Sequence, residues 1–257
     1  MGDTELRAVA SLLRDANRIA VFTGAGVSAE SGIETFRQPQ TGLWARYDPM
    51  ELAHVDALAR DPETVTRWYH WRFSKCADAK PNAGHHAIAE LQRLKRARGG
   101  GVDVVTQNID GLHQAGGAED VIELHGSILR WRCQKTGNMR AIEEVDFSAF
   151  PPRSEAGGIL RPDIVLFGEM LPEAALEGAE RAVLSCDVFL TIGTSAVVYP
   201  AAGYIEMAIS RGVPTVEVNP DATPMSTHMT HTLAGASGDV LPRLLDHMGL
   251  GNDTDRS

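Results

Sequence analysis

The side chains that could bind a ligand or transfer a proton lie at the ends of predicted strands. Gln107, Asn108 and Asp110 directly follow the apolar run 102–106, and His125 ends the next predicted strand. Amide and carboxylate groups hold hydrogen-bonding ligands, while a histidine can move a proton because its ordinary pKa lies close to neutral pH. Open α/β sheets bind ligands at the carboxyl ends of their strands. We therefore predict a ligand site with a proton-transfer group at this edge of a sheet.

A glycine-rich turn after the apolar run 19–22 predicts a phosphate site. Gly24, Gly26 and Ala29 have the Gly-x-Gly-x-x-Ala spacing of a dinucleotide fingerprint. In that fingerprint the first glycine permits a tight turn and the second lets a pyrophosphate approach the main chain. The spacing alone leaves an ordinary strand-to-helix turn equally open, and the usual acidic ribose-binding residue is missing from its place. The long polar loop that follows is better explained as a cover for a cofactor.

The elements that carry these residues predict an α/β fold with a doubly wound, Rossmann-like parallel sheet. Residues 125–162 break the repeated pattern of strand, polar tip and helix, and they predict a smaller inserted module. Helical periodicity is present at 4–17, 62–75 and 85–97. Apolar runs that each end in a small or polar cluster lie at 19–22, 102–106, 121–124, 164–167, 188–192 and 215–218.

Two domains and a short tail are the predicted organisation. The large domain is Rossmann-like and binds the nucleotide. The small domain combines a helical region with the inserted module, and residues 251–257 form a flexible tail. The large domain takes 1–30, 84–126 and 160–250, and the small domain takes 31–83 and 127–159.

Composition excludes several classes of protein. The formal net charge of −10 argues against binding to nucleic acid or to an anionic membrane surface. No apolar run approaches the ~20 residues that span a bilayer. The three cysteines are scattered and predict no disulfide framework, so a reducing compartment such as the cytoplasm is expected. The composition is that of an ordinary globular protein, which we expect to act as a monomer.

Six ordered motifs that cover nearly the whole chain resemble those of the sirtuins. The resemblance implies an enzyme that consumes NAD to remove acyl groups from protein lysine side chains, with nicotinamide and O-acyl-ADP-ribose as products. It also implies that the acyl-lysine protein binds as an extended peptide. The motifs are 24–28 with 35–37, 106–113, 123–127, 161–162 with 167–169, 193–195 with 198–201, and 218–219.

The resemblance also implies roles for individual residues. His125 is the general base on a ribose hydroxyl, and Asn108 and Asp110 fix the nicotinamide and its ribose. Phe167, Gly168 and Val198 flank the substrate peptide through added β-pairing. The implied cofactor-binding residues are Gly24, Ala25, Gly26, Ser28, Glu30, Thr35, Phe36, Arg37, Gln107, Asn108, Ile109, Asp110, Gly193, Thr194, Ser195, Asn219 and Ala236.

Tyr69 and Arg72 are three residues apart and share one face of a predicted helix. Taken alone, the pair indicates an amphipathic helix with a solvated arginine. By the resemblance, the pair looks like the acyl pocket of sirtuins that prefer succinyl, malonyl or glutaryl lysine, and Ala53 matches the small residue that gives this pocket room. A guanidinium can hold a carboxylate by two bonds and a phenol can donate a third. We therefore expect acidic acyl groups to be removed better than acetyl.

The inserted module departs from the family pattern. Sirtuins usually carry two Cys-x-x-Cys pairs there, which hold a structural zinc ion. In this chain only Cys133 is available in the module, far short of four ligands. We expect a module without zinc that is held by packing of Trp131, Phe147 and Phe150.

Three other functions stay open. They are a general lysine deacetylase, a protein ADP-ribosyltransferase on the same fold, and a module that only binds NAD. The set of Gln107, Asn108, Asp110 and His125 argues against the last, because a binding module needs no base. His113, at a predicted helix start, is expected to be structural.

Overall fold

The computed structural model describes residues 2–33 and 48–249. The helices of this part of the chain are α1 (Asp3–Asp15), α2 (Pro49–Leu52), α3 (Val55–Arg60), α4 (Pro62–Ala77), α5 (Ala83–Arg96), α6 (Leu112–Ala115), α7 (Glu173–Ser185), α8 (Gly203–Ser210) and α9 (Ser237–Met248). The strands are β1 (Arg18–Thr23), β2 (Gly101–Thr106), β3 (Ile122–Glu123), β4 (Gly126–Cys133), β5 (Met139–Ala141), β6 (Leu160–Ile164), β7 (Val188–Ile192), β8 (Thr215–Asn219) and β9 (His231–Ala234).

Six strands form a parallel sheet in the order β3-β2-β1-β7-β8-β9. Helices α1, α5 and α9 cover one face of this sheet, and α7 and α8 cover the other. Because the inner strands are buried on both faces, their sequences are continuously apolar. The predicted doubly wound sheet is therefore confirmed.

The strand order reverses beside β1, since the chain moves outward through β2 and β3 and returns to add β7 on the other side. Loops that leave adjacent strands in opposite directions open a crevice at such a switch point, and open α/β sheets bind ligands there. In this chain, the loops after β1 and β7 line the crevice. The loop after β1 is the glycine-rich turn, and the loop after β7 begins with Gly193.

A second, antiparallel sheet has the order β5-β4-β6. The prediction of a parallel-sheet strand at 164–167 is therefore wrong, because Leu160–Ile164 pairs with β4 instead. This strand belongs to the small sheet, although the sequence analysis assigned residues 160–250 to the large domain. The reason is that Ile164 and Leu166 are buried against α3, α4 and β4, and burial makes a run apolar whichever sheet covers it. The prediction also missed β9, an edge strand with alternating burial.

Aromatic packing holds the small sheet together. Trp131 is fully buried, and its ring centre lies 5.0 Å from that of Phe147. Phe147 in turn lies 5.7 Å from Phe150. His70 of α4 stacks on Phe147 at 4.1 Å, so the same cluster joins the small sheet to α4. Among the described residues, no three His, Cys, Asp or Glu side chains are grouped so that they could hold a metal ion.

Helix α4 begins as the sequence predicts. The side chain of Asp61 accepts a hydrogen bond from the Thr64 N–H at 3.0 Å, and Pro62 occupies the first helical turn. The helix then runs for 16 residues and carries Tyr69 and Arg72 on one face. None of the helices in the two described ranges is both long enough and apolar enough to cross a membrane.

Candidate active site

The loops after β1 and β7 meet by main-chain contact. The Gly26 N–H donates to the carbonyl oxygen of Gly193 at 2.7 Å. A Cβ atom at Gly26 would lie 2.7 Å from the Gly193 Cα, and one at Gly24 would lie 2.8 Å from the Thr194 Cβ. Only glycine fits at either position. The turn continues into a 3-10 helix at Ala25–Ser31 rather than directly into an α-helix.

Side chains from three strands connect across the crevice. The Gln107 amide donates to the Thr194 hydroxyl at 3.0 Å, and the Asn219 amide donates to the Thr194 carbonyl at 2.9 Å. The ends of β2, β7 and β8 are thereby joined. Gly193, Thr194 and Asn219 were predicted as neighbours at one ligand site, and the structure brings them together.

Asn108 and Asp110 lie in a buried hydrogen-bonded cluster with Ser28. The Ser28 hydroxyl donates to an Asp110 carboxylate oxygen at 2.7 Å, and the Asn108 amide donates to the Ser28 Oγ and to the Gly24 carbonyl, both at 3.1 Å. Burial raises the pKa of Asp110, while hydrogen bonds from Leu112 and Ser28 oppose the rise. The cluster fixes both amide and carboxylate directly beside the glycine-rich turn.

His125 is held in one orientation at the end of the short segment after β3. Its Nδ1 lies 2.9 Å from the Gln107 carbonyl oxygen, which can only accept a hydrogen bond. Nδ1 therefore carries the ring proton, and in the neutral ring Nε2 is the atom that can accept one. Burial lowers the pKa of His125, although the bond to Gln107 opposes the shift. The ring is therefore neutral, and ready to act as a base, at pH 7.

Two further histidines lie behind this cluster. His113 is 1% exposed, and its Nε2 is 2.8 Å from the Thr23 hydroxyl, which agrees with the structural role expected for it. His85 lies 3.4 Å from the Ser28 Oγ, and the two imidazole rings are 5.0 Å apart. Burial lowers the pKa of His85 to about 4 and that of His113 to about 3. The sequence analysis missed His85; its only signal is the Asn82 cap three residues earlier, whose side chain also donates to the Val27 carbonyl.

The predicted acyl-pocket residues are adjacent in the structure. Ala53 and Tyr69 are buried in one apolar cluster that also contains Trp68 and Leu166. The Arg72 guanidinium carbon lies 5.0 Å from the centre of the Trp68 ring. Burial raises the pKa of Tyr69, and the nearby Arg72 opposes the shift, so the phenol keeps its proton at neutral pH. The residues predicted to form an acyl pocket therefore include a hydroxyl donor and a cation.

Main-chain bonds link this pocket to the predicted peptide groove. The Phe167 N–H donates to the Ala53 carbonyl at 2.8 Å, and the Val55 N–H donates to the Phe167 carbonyl at 3.0 Å. Gly168 follows in a left-handed conformation with φ of +87°. Val198 is half-buried in the loop between β7 and α8, where its carbonyl accepts from the Ala202 N–H at 2.8 Å.

The remaining predicted cofactor residues are placed as follows. The Glu30 carboxylate accepts from the Gly238 N–H at 2.8 Å, so its contacts are with the start of α9, which Ala236 caps. Ile109 lies beside the acyl-pocket cluster, Ala25 begins the 3-10 helix after β1, and Ser195 lies in the loop after β7. Thr35, Phe36 and Arg37 fall outside the described residues.

Fold and site together define a dinucleotide-binding α/β protein. The strand order, the glycine contacts at the switch point and the cluster of amide, hydroxyl and carboxylate groups suit a ligand with phosphates, riboses and an amide. A neutral histidine held by its Nδ1 adds a group that can accept a proton. These residues fit NAD, because their hydrogen-bonding groups suit its phosphates, its riboses and its amide.

Comparisons with known proteins identify the family. The Sir2 family model matches residues 24–200. The chain is 46% identical over 236 residues to an NAD-dependent protein deacylase of Mycolicibacterium paratuberculosis, which covers 90% of this chain and 98% of that protein. A crystal structure of a Sir2 homologue with NAD is 42% identical, covers 94% of this chain and 93% of its own, and has a TM-score of 0.86. A complex of Sir2 with a p53 peptide and NAD⁺ is 30% identical, covers 95% and 99%, and has a TM-score of 0.84.

The chain belongs to the Sir2 family, the sirtuins. The resemblance carried by the six sequence motifs is confirmed.

Proposed function

We propose that this sirtuin removes succinyl, malonyl and glutaryl groups from protein lysines in preference to acetyl, with nicotinamide and O-acyl-ADP-ribose as products. NAD-dependent protein deacylation is the activity for which its relatives are named, and the prediction of this enzyme class is confirmed. The preference for acidic groups is supported by one arrangement: Ala53 and Tyr69 lie in one buried cluster, and Arg72 lies beside Trp68 of the same cluster.

NAD supplies the leaving group, nicotinamide, and the ribose that accepts the acyl group. The chain's own residues bind and orient these parts. Gln107, Asn108 and Asp110 are fixed by the hydrogen bonds already described, so they meet the ligand with little loss of side-chain freedom. His125 accepts a ribose hydroxyl proton at Nε2, because Nδ1 is occupied by the Gln107 carbonyl.

A carboxylate at the end of the acyl chain would find both partners it needs in the pocket. Arg72 supplies a planar cation, and the Tyr69 phenol stays protonated and can donate a hydrogen bond. Each charge-assisted bond contributes about 1.5–3 kcal/mol in a site sheltered from water. An acetyl group ends in a methyl and gains none of these bonds. Discrimination on the order of 10–100-fold follows from even one such bond.

The substrate is proposed to lie as an extended strand beside Phe167, Gly168 and Val198. A Sir2 relative has been solved with a p53 peptide, which supports peptide binding in this family. One side of Phe167 is already paired with Ala53 and Val55. A peptide added as a strand at this groove would be bound through its main-chain hydrogen bonds, so the sequence of the target would matter little.

The small sheet is proposed to fold without zinc. Cys133 contacts the Ser154 hydroxyl at 3.1 Å, where a second cysteine ligand would be needed. The cluster of Trp131, Phe147 and Phe150 occupies the interior of the module instead.

The test compares two peptides of one sequence, one with acetyl-lysine and one with succinyl-lysine. Nicotinamide release and the acylated product are measured with NAD in excess, and His125→Ala serves as the inactive control. The proposal predicts free O-succinyl-ADP-ribose and a higher kcat/KM for the succinyl peptide. Faster acetyl turnover would indicate a general deacetylase, and ADP-ribose attached to protein would indicate a transferase.

A further inference from the structure

An ion pair between a buried arginine, Arg161, and a half-buried carboxylate, Glu169, lies beneath the predicted peptide groove. Arg161, the second residue of β6, is 3% exposed. Its two terminal nitrogens donate to the two carboxylate oxygens of Glu169, at 2.5 and 3.1 Å. This is the paired geometry in which a guanidinium and a carboxylate bind most strongly. The sequence analysis singled out both residues only as parts of family motifs and gave neither a role.

The pair closes a turn that contains the groove residues. One carboxylate oxygen of Glu169 also accepts from the Leu166 N–H at 2.9 Å, and the Glu169 N–H donates to the Leu166 carbonyl at 3.0 Å. Arg161 further donates to the Ile164 carbonyl at 2.7 Å. Residues 164–169 are therefore tied at both ends to a single guanidinium.

The turn packs directly against His54 and Val55, the two residues that follow Ala53 of the predicted acyl pocket. A Cβ atom at Gly168 would lie 3.0 Å from a methyl group of Val55 and 3.1 Å from the His54 ring. Phe167 forms a bridge with His54. Arg161 and Glu169 are also close enough to Tyr69 to act on its pKa. A shift of the turn would therefore move the edge of the peptide groove and its junction with the pocket.

Surrounding charges do not replace the pair. Arg132 lies 3.8 Å from Glu169 and also 3.8 Å from Asp163, so its charge is shared at longer distance. Loss of Glu169 would leave the buried charge of Arg161 without compensation. The turn would then have to rearrange to expose that charge to water.

We propose that Arg161 and Glu169 are positioning residues for the acyl-lysine peptide. Their ion pair holds residues 166–169 in the shape that pairs with the substrate main chain. The inference rests on the extended peptide binding proposed above, but it is independent of the acyl-group preference. Neither residue contacts the reacting atoms.

The test uses Glu169→Gln, which keeps a hydrogen-bond acceptor for Leu166 but removes the charge, and Arg161→Lys, which keeps the charge but loses the paired geometry. We expect the peptide KM of both variants to rise by roughly 10-fold, by the same factor for acetyl and succinyl peptides. The KM for NAD should stay within about 2-fold, because the glycine contacts at the switch point lie elsewhere. Glu155→Gln, which breaks the exposed Arg140–Glu155 pair of the same module, is the matched control.

Either of two results would overturn the inference. One is an unchanged peptide KM in a folded Glu169→Gln variant. The other is a parallel rise in the KM values of NAD and peptide with a lower Tm, which would mean that the pair only stabilises the fold. Failure of the acyl-group proposal would be recognised separately. In that case the wild type itself would not turn over the succinyl peptide better than the acetyl peptide. A wild type that turns over neither peptide overturns both.

Discussion

The Nδ1 atom of His125 lies 2.9 Å from the carbonyl oxygen of Gln107. This contact couples the proposed general base to the residue that also bonds Thr194, so the orientation of the ring depends on the end of β2. Tautomer and position of the base are therefore fixed before any ligand binds.

The pH dependence of deacylation follows from this arrangement. Burial holds the pKa of His125 below its ordinary value of 6.5, so the base form persists below that pH. We expect kcat/KM to decline only at a pH lower than 6.5, as measured with the preferred acyl peptide over pH 5–8. A decline of kcat/KM centred above pH 6.5 would contradict the assignment of a buried neutral base.

Because Gly26 and Gly193 are in contact, adding one methyl group at Gly26 should strongly weaken NAD binding and lower stability. In Gly26→Ala the new Cβ would lie 2.7 Å from backbone atoms, so the two loops must separate. We expect the KM for NAD to rise at least about 10-fold and the Tm to fall. Gly203→Ala is the control, because no atom lies within 4 Å of its added Cβ. Unaltered NAD kinetics in Gly26→Ala would show that the loops need not touch.

The buried histidine pair predicts a loss of stability in acid. Well above pH 6.5 both rings are neutral in the folded and unfolded chain, so they contribute no pH dependence. Between pH 6.5 and about 4 the unfolded chain binds protons that His85 and His113 do not bind, so stability falls as the pH falls. We expect urea unfolding to show a loss of a few kcal/mol over this window, less in His85→Gln. Equal stability at pH 7 and pH 4.5 would refute it.

The aromatic cluster predicts how the small module responds to truncation and to chelators. Phe147→Ala removes the ring that contacts Trp131, Phe150 and His70, and we expect a loss of about 3 kcal/mol of stability. A zinc chelator should leave the Tm of the wild type unchanged. One zinc ion per chain in elemental analysis, or a chelator-dependent Tm, would contradict a module held by packing.

Sequence patterns predicted most of the fold, and residues that they placed at one site, such as Gln107 and Thr194, meet in the structure. Buried parallel strands are apolar throughout, so five of the six strands of the main sheet could be found. The edge strand β9 alternates, and the run 164–167 is apolar because of α3 and α4, so neither could be assigned from local sequence. Contacts across the fold left no such signal. His85 approaches Ser28 from another helix, and Arg161 meets Glu169 only because the intervening segment turns back.

The acyl-group preference is the central claim, and Arg72→Met tests it most directly. Kinetics of the acetyl and succinyl peptides are compared for the wild type, Arg72→Met and Arg67→Met, the last being an arginine of the same helix that faces Phe150. The account predicts that Arg72→Met lowers kcat/KM for the succinyl peptide on the order of 10–100-fold, changes acetyl turnover little, and is not mimicked by Arg67→Met. Unchanged succinyl turnover in Arg72→Met would contradict it and leave Tyr69 and Arg72 as ordinary packing residues.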